Sequence, residues 1–205
     1  MRADFWNERY ATDDYVYGRS PNHFFKEQID SLEPGYLLTL AEGEGRNGVY
    51  AAELGWKVTA VDYSAEGRKK ALELAGERDV QLTYHIKRVE EFAYPANHFD
   101  AVSLIYAHFP PDIRRQVHRK AMESLKDGGR LILEAFHKKQ INRNTGGPKD
   151  TAMLYSLDEL EQDFEEWQVE YSEALTAHID EGQYHTGEAD IVRMVVGKEK
   201  GKSIK

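Results

Sequence analysis

Glycines and acids lie together between an apolar run at 36–41 and a helix-like segment, in a pattern that could bind a phosphate or a nucleoside. Glycine lets the backbone pass close to a ligand, and the start of a helix offers free N–H groups. A mononucleotide phosphate loop is excluded, because neither Lys-Ser nor Lys-Thr follows the glycines. Gly43, Gly45 and Gly48 do meet the spacing of a dinucleotide-binding turn.

The charges beside these glycines separate the remaining ligand classes. Glu42 and Glu44 place two carboxylates where a pyrophosphate would lie, and like charges repel. They suit a ligand with a cationic centre, and S-adenosylmethionine carries both a sulfonium and an ammonium group. Asp62, nineteen residues after Gly43, follows the next apolar run and could accept hydrogen bonds from the ribose hydroxyls of either ligand. A plain tight turn with solvent-facing glutamates stays the alternative.

Candidate catalytic groups follow a second strong apolar run, at 99–105. Tyr106 and His108 would lie at the same edge of the sheet as the glycine turn, since the carboxyl ends of parallel strands share one edge. We predict His108 as a base or as a donor that orients the acceptor, because imidazole titrates near neutrality. A histidine that bonds its own loop is the alternative. His137 and His185 are further candidates, for which we expect structural roles.

An alternation of apolar runs and amphipathic segments must position these groups, and it predicts a parallel sheet covered by helices on both faces. The predicted strands are 36–41, 57–61, 80–85, 99–105, 130–136, 167–177 and 189–197. The predicted helices are 47–54, one capped by Ser64, one that carries Ile113, Val117, Ala121 and Leu125, and a short one with a capping-box spacing between Ser156 and Glu159. The segment 137–149 is predicted as a loop, because glycine and proline interrupt it.

Composition limits the classes of function. The chain has 205 residues with 27 basic against 36 acidic side chains, a net charge of −9 that disfavours binding to nucleic acid. Cysteine is absent, which excludes disulfides, cysteine-ligated metals and a thiol nucleophile. No apolar stretch has the length of a membrane span. The N-terminus does not resemble a secretory leader, so we expect a cytoplasmic protein, either a monomer or a homodimer.

We expect one domain over 1–197, followed by a flexible basic tail at 198–205. Residues 1–35 are predicted as a helical cap, rich in aromatic side chains that either pack or form a lid over a ligand. No zinc helix motif or dense acidic set is present, and we therefore expect no metal, although His178 and His185 have acids nearby.

Four motifs in order resemble the class I S-adenosylmethionine-dependent methyltransferases. The segments 38–45, 58–64, 99–102 and 125–131 are similar to that family's first motif, second motif, fourth strand and the turn before the fifth strand. A narrower resemblance, to a small-molecule branch related to the tellurite-resistance and thiopurine methyltransferases, rests on the sequence of residues 41–47, the segment 6–22 and the loop 146–148. The resemblance implies a Rossmann-like, doubly wound, seven-stranded and mostly parallel α/β sheet whose last strand is antiparallel.

The resemblance also implies the cofactor and its contacts. The backbone around Glu42, Gly43 and Gly45 would contact the methionine part of S-adenosylmethionine, Asp62 its ribose and Tyr63 one adenine face. The Val89 N–H and Glu90 would contact the adenine edge. The full set of implied cofactor residues is Glu42, Gly43, Gly45, Asn47, Asp62, Tyr63, Val89, Glu90 and Ile105. Two positions depart from the family, since Thr39 and Arg88 stand where an acid is usual.

The predicted function is methyl transfer from S-adenosylmethionine, with S-adenosylhomocysteine as product, to a small-molecule acceptor such as a thiol or a metalloid oxyanion. Alignment of the acceptor and exclusion of water are then the main tasks of the protein. Arg9, Arg19 and Arg46 could form a cationic patch for an anionic acceptor. The alternatives are a non-catalytic S-adenosylmethionine-binding protein and an NAD-linked oxidoreductase.

Overall fold

A seven-stranded sheet forms the centre of the structure, a computed structural model that describes residues 3–199. The strands are β1 (Tyr36–Leu40), β2 (Lys57–Asp62), β3 (Thr83–Ile86), β4 (Phe99–Ile105), β5 (Leu125–Phe136), β6 (Gln168–Asp180) and β7 (Thr186–Gly197). Their order across the sheet is β3-β2-β1-β4-β5-β7-β6. β7 runs antiparallel to both of its neighbours, and the other six strands of the sheet share one direction, so the predicted fold class is confirmed.

Helices cover both faces of this sheet. They are α1 (Ala3–Tyr10), α2 (His23–Asp30), α3 (Arg46–Glu53), α4 (Ala65–Glu77), α5 (Pro111–Ser124) and α6 (Leu157–Asp163). None of the helices within residues 3–199 combines the length and the apolar character that a membrane crossing requires.

Alternate residues of the central strands supply two separate cores. Leu38 and Leu40 of β1 pack on one face of the sheet, against Val117 of α5. Leu37 of β1 packs on the other face, against Phe25 of α2. Because both faces are covered, β1 has to be apolar along nearly its whole length, and this explains its uninterrupted apolar run.

Two predicted helix starts are confirmed in detail. The Ser64 hydroxyl accepts the Gly67 N–H at the start of α4. At α6, the Ser156 hydroxyl accepts the Glu159 N–H, while the Glu159 carboxylate accepts the Ser156 N–H, which completes the capping box. Both caps satisfy N–H groups that a helix start leaves without partners.

The third strand begins later than the prediction of 80–85. Asp79 has a φ of 55°, and the Val80 N–H donates to the Ala75 carbonyl. This geometry is a left-handed helix end in which aspartate stands where glycine is usual. The Val80 N–H therefore caps the C-terminus of α4, beyond the last helical residue Glu77, and β3 occupies Thr83–Ile86.

Both ends of the described chain are attached to the rest of the fold by hydrogen bonds. The predicted cap contains α1 and α2, and α1 contacts α4, where the Asn7 side chain accepts the Ala65 N–H. The predicted flexible tail begins too early, because the Lys198 ammonium donates to the carbonyls of Glu123 and Leu125 and is anchored there. Residues 200–205 of that tail lie outside the described part of the chain.

Candidate functional site

A cavity of about 490 Å³ opens at the carboxyl ends of the parallel strands. Its walls come from the ends of β1, β2 and β4, from a short 3₁₀ turn at Val89–Glu91, from α1 and from the segment 147–149. Cavities of this size hold ligands the size of nucleosides and cofactors. The position is the crevice where open parallel sheets bind their ligands.

Two left-handed residues open this crevice. Ala41 and Tyr106 directly follow β1 and β4, have φ values of 54° and 51°, and both line the cavity. Residues other than glycine adopt this conformation rarely, and it is concentrated at functional sites. The sharp turn at each position ends the pairing of two neighbouring strands and separates their loops.

Gly43 and Gly45 set the conformation of the turn beside the cavity, although neither residue lines it. Gly45 has a φ of 90° and begins α3, and a Cβ at this position would lie 2.6 Å from the Cβ of Ala71. The Gly43 N–H donates to the Asp62 carboxylate over 3.1 Å. Neither glycine is among the cavity-lining residues. Their predicted contact with a ligand stays a prediction, and their conformational role follows from the backbone.

Glu42 and Asp62 are the two buried carboxylates that could face a cationic ligand. Both line the cavity, and none of the ion pairs formed by residues 3–199 involves either of them. Burial raises the pKa of Glu42 to about 7 and that of Asp62 to about 6, although backbone N–H donors oppose the rise. The free protein thus holds two desolvated acids whose charges become favourable when a cation binds.

Glu44 does not act as predicted. Its carboxylate accepts the Val16 N–H over 2.9 Å and pairs with the Lys70 ammonium over 2.8 Å. This acid therefore ties the N-terminal segment to α4 and its charge is compensated. The repulsion expected against a pyrophosphate rests on Glu42 alone.

The other predicted cofactor residues gather at the same cavity. Tyr63, Val89, Glu90 and Ile105 all line it. The Glu90 carboxylate accepts a hydrogen bond from the Arg88 guanidinium over 2.6 Å. These placements agree with the predicted order of ribose and adenine contacts, which stay predictions.

Asn47 also lines the cavity, but its side-chain oxygen already has a partner. It accepts the Asn22 N–H over 2.9 Å. The contact joins α3 to the start of α2, so the predicted cofactor residue also holds the N-terminal cap in place.

The structure contradicts the prediction of His108 as a base. Its Nδ1 lies 2.7 Å from the Met153 carbonyl, and its Nε2 accepts the Phe136 N–H over 3.2 Å. Burial lowers the pKa of this imidazole to about 4. Because the lone pair on Nε2 is occupied by a backbone donor, His108 is a structural residue that joins the loop after β4 to the end of β5.

Tyr106, the other predicted catalytic residue, does reach the cavity. Its hydroxyl is sealed from solvent and makes no hydrogen bond of normal geometry to the described residues. Burial, together with Glu134 and Glu181, raises its pKa well above the ordinary value. The phenol therefore stays protonated, and its catalytic role stays a prediction.

The two remaining histidine candidates have different positions. His137 is absent from the cavity walls, and its Nδ1 accepts the Lys139 N–H. His185 is buried and lines the cavity, where its ring lies 4.5 Å from the rings of both Tyr17 and Tyr106.

The predicted cationic patch is only partly formed. Arg19 pairs with Glu77 at the surface and lies away from the cavity walls. Arg9 and Arg46 do line the cavity, and Arg46 pairs with Glu181 over 2.7 Å. Although burial alone would raise it, the Arg46 charge lowers the pKa of Glu181 to about 2.

Sequence reasoning missed Asn22 and Glu181, which hold this part of the cavity together. The Asn22 amide donates to the carboxylates of Glu134 and Glu181 over 2.6 and 2.8 Å. No local motif indicates either residue, because the partners are more than a hundred positions apart. The described residues include no group of three or more histidine, aspartate or glutamate side chains arranged to bind a metal.

Comparison with known proteins agrees with this geometry. Residues 37–129 match the family described as "Methyltransferase domain". A segment of 113 residues is 31% identical to a probable non-canonical nonribosomal peptide synthetase, CymA, of Salinispora arenicola strain CNS-205. That segment is 52% of this chain, and the chain spans about 1% of the length of that protein.

Two solved structures share the fold over nearly the whole chain. One, reported for the conversion of a disulfide bond into a thioacetal group during echinomycin biosynthesis, has a TM-score of 0.78 at 15% identity and covers 98% of this chain and 91% of its own. TehB from Haemophilus influenzae has a TM-score of 0.72 at 14% identity and covers 96% and 67%. Residues 37–129 are thus similar to methyltransferase domains, and the fold of the chain is that of these two solved structures.

Proposed function

We propose that this chain transfers the methyl group of S-adenosylmethionine to a small-molecule acceptor bound in the 490 Å³ cavity. The observation that carries the proposal is the pair of buried carboxylates, Glu42 and Asp62, which line the cavity without a cationic side-chain partner among residues 3–199. Desolvated acids of this kind favour a ligand that brings its own positive charge. A dinucleotide brings negative charge instead, which disfavours the NAD-linked alternative.

Each part of the cofactor has a complementary group in the cavity. Asp62 would accept hydrogen bonds from the ribose hydroxyls, while the Gly43 and Ser64 N–H groups hold its carboxylate in position. Glu42 would lie toward the cationic methionine end. Tyr63 and Val89 would enclose the adenine. When bound, the cofactor supplies a methyl group on a sulfonium, whose leaving group is neutral and needs no acid.

The N-terminal cap supplies the exclusion of water that this reaction needs. Trp6 stacks on Tyr10 at 5.4 Å between ring centroids, and both line the cavity together with Tyr17. The acceptor would lie beneath these rings, beside Tyr106. We propose a thiol or a metalloid oxyanion as acceptor, as the resemblance to the tellurite-resistance and thiopurine methyltransferases implies. The cytoplasmic location and the state as monomer or homodimer stay predictions.

The test is calorimetric titration of the purified protein with S-adenosylhomocysteine, with NAD as a second ligand. We expect micromolar binding of S-adenosylhomocysteine alone. The change Asp62→Ala should weaken it about 100-fold, because hydrogen bonds to a charged acceptor contribute about 1.5–3 kcal/mol each. Asp112→Ala, which alters an exposed acid, is the matched control and should bind like the wild type.

Two results would contradict the proposal. Heat of binding with NAD and none with S-adenosylhomocysteine would favour the NAD-linked oxidoreductase instead. Binding of S-adenosylhomocysteine without methyl transfer to any member of a broad panel of thiols, oxyanions, phenols and amines would favour the non-catalytic binding protein instead.

A further inference from the structure

His185 lines the cavity on the turn between β6 and β7, and backbone hydrogen bonds hold this turn. The Glu181 N–H donates to the His185 carbonyl over 2.7 Å, and the His185 N–H donates to the Gly182 carbonyl over 3.1 Å. The Gln183 N–H donates to the Val16 carbonyl, which docks the turn on the N-terminal segment. The backbone that carries the imidazole is thus held from both sides.

The imidazole of His185 makes no hydrogen bond to the backbone of the described residues, unlike that of His108. Its Nδ1 is sealed from solvent without a hydrogen bond and lies 4.0 Å from the Glu181 carboxylate. Its Nε2 has no hydrogen bond to the described residues and is not sealed. Catalytic hydrogen bonds are commonly long in the free enzyme and shorten when the substrate binds. A tautomer with its proton on Nδ1 would face the Glu181 carboxylate and leave Nε2 able to accept a proton.

Glu181 is itself fixed in position. The Arg46 guanidinium donates to one carboxylate oxygen over 2.7 Å, and the Asn22 amide donates to the other over 2.8 Å. A carboxylate with two donors stays ionised, and it can stabilise an imidazolium that forms beside it. The three elements that supply these groups are far apart in sequence, so the arrangement is a product of the fold.

The surroundings of His185 favour a neutral, polarisable acceptor over an anion. Its ring lies 4.5 Å from Tyr17 and Tyr106 and 5.1 Å from Phe136. Aromatic rings make favourable contacts with sulfur.

The cationic side chains of the cavity walls already have partners. Arg46 pairs with Glu181 and Arg88 with Glu90, while Arg9 donates to the Tyr17 hydroxyl and Lys149 to the Arg143 carbonyl. Carboxylates therefore compensate the charges of Arg46 and Arg88, so these two cations offer little to an oxyanion, whereas Arg9 and Lys149 donate only to neutral oxygens.

We propose that the acceptor is a neutral thiol bound among these rings, and that His185 accepts the thiol proton through Nε2 while Glu181 orients the ring. This inference rests on the proposed function, which it makes more specific. The acceptor sulfur forms a bond to the methyl carbon, the carbon–sulfonium bond breaks with its electron pair returning to the cofactor sulfur, and the proton passes from the thiol to His185 and then to solvent. A thioether, S-adenosylhomocysteine and one proton result.

The charges around His185 allow it to start neutral. The titratable groups that face it are Glu181, Arg46, Arg9, His108, Tyr17 and Tyr106. Burial lowers the pKa of this imidazole, Glu181 opposes the shift, and the arginines add to it. The ring is therefore unprotonated at pH 7 and can accept a proton.

The test compares two thiols that differ in ionisation. Phenylmethanethiol is protonated at neutral pH and needs a base, whereas 4-nitrothiophenol is already a thiolate. His185→Gln should lower the rate with phenylmethanethiol, relative to the rate with 4-nitrothiophenol, about 100-fold, which is the lower range for loss of a general base. His178→Gln, a change at an exposed position of β6, is the matched control and should leave this ratio unchanged.

A second readout is the pH profile. The wild-type rate with phenylmethanethiol should fall as the pH is lowered through the pKa of His185, and His185→Gln should lose this acidic limb. An equal fall in rate with both thiols, with the acidic limb retained, would overturn the role of His185. Methyl transfer to selenite or tellurite with no transfer to thiols would overturn the thiol assignment while leaving the proposed function intact. Failure to bind S-adenosylhomocysteine would instead count against the proposed function.

Discussion

The two ends of the cavity are built in different ways. At the end where we propose that the cofactor binds, here called the cofactor end, Glu42 accepts the Gly48 N–H and Asp62 accepts the Gly43 N–H, from six and nineteen residues away. At the end where we propose that the acceptor binds, here called the acceptor end, Asn22 donates to both Glu134 and Glu181, more than a hundred residues away. One end is a local motif, and the other exists only when the N-terminal cap, β5 and the β6–β7 turn meet.

The two ends should therefore respond differently to substitution. A substitution at the cofactor end acts through the conformation of one short turn. A substitution at the acceptor end acts through the assembly of segments that have no contact in the unfolded chain, so it removes tertiary interactions directly. Both ends contain buried charged groups, and removal of the partner of a buried charge strongly lowers the free energy of unfolding.

The largest expected effect is at the acceptor end, on removal of the Asn22 side chain. Asn22→Ala deletes two amide hydrogen bonds to carboxylates and the N-cap that accepts the Phe25 N–H. We expect a loss of about 3 kcal/mol in the free energy of unfolding, measured by chemical denaturation. Asn144→Ala, at an exposed position without these contacts, should change it by less than about 0.5 kcal/mol. Equal stability of the two variants would show that the acceptor end is not held by Asn22.

A smaller effect is expected from strain at the cofactor end. Gly45→Ala forces a side chain onto a residue with a φ of 90° and places its Cβ 2.6 Å from the Cβ of Ala71. We expect a loss of about 2 kcal/mol in the free energy of unfolding and weaker binding of S-adenosylhomocysteine.

The matched control for Gly45 is Gly76→Ala in α4. A Cβ at Gly76 meets nothing within 4 Å, and alanine favours helix over glycine, so this variant should gain up to about 1 kcal/mol. A shift of the denaturation midpoint in the same direction for both glycine variants would contradict the assignment of strain to position 45.

The smallest effect is a dependence of stability on pH at the cofactor end. Burial raises the pKa of Glu42 to about 7, above its unfolded value of 4.5, so the protonated form favours the fold. This contribution is fully present below pH 4.5 and is lost as the pH rises through 7. Between those values the wild type should lose about 1 kcal/mol more stability than Glu42→Gln, because water in the cavity screens part of the shift. Parallel unfolding profiles for the two proteins would contradict the assignment.

Local patterns predicted most of the fold and two of the acids that line the cavity. The continuous run of β1, the capping serine Ser64 and the acid Asp62 at the end of β2 are each indicated within a few residues of sequence. Boundaries failed where a rare conformation intervened, as at Asp79, whose left-handed φ delays β3. Glu44 was misjudged because its partner, Lys70, lies on another element.

The acceptor end could not be predicted in the same way. His108 and His185 follow or connect strands, and both lie in the cavity walls. What distinguishes them is the hydrogen bonding of their rings. The Phe136 N–H and the Met153 carbonyl contact the two nitrogens of His108, whereas His185 has no backbone partner among the described residues and its Nδ1 lies 4.0 Å from the Glu181 carboxylate. Side-chain partners of this kind are set by tertiary packing, and no spacing in the chain encodes them.

Neighbouring residues specify the alternation of strands and helices, the strained glycine turn and the acids at the ends of β1 and β2, because these features depend on local sequence. The packing of distant segments specifies which carboxylates have no ion-pair partner, which histidine ring has no backbone partner and how the N-terminal cap lines the cavity. The physical reason is the separation along the chain between the residues that interact. Backbone conformation and capping are local, whereas burial and charge pairing depend on which distant side chains the fold brings within a few ångströms of one another.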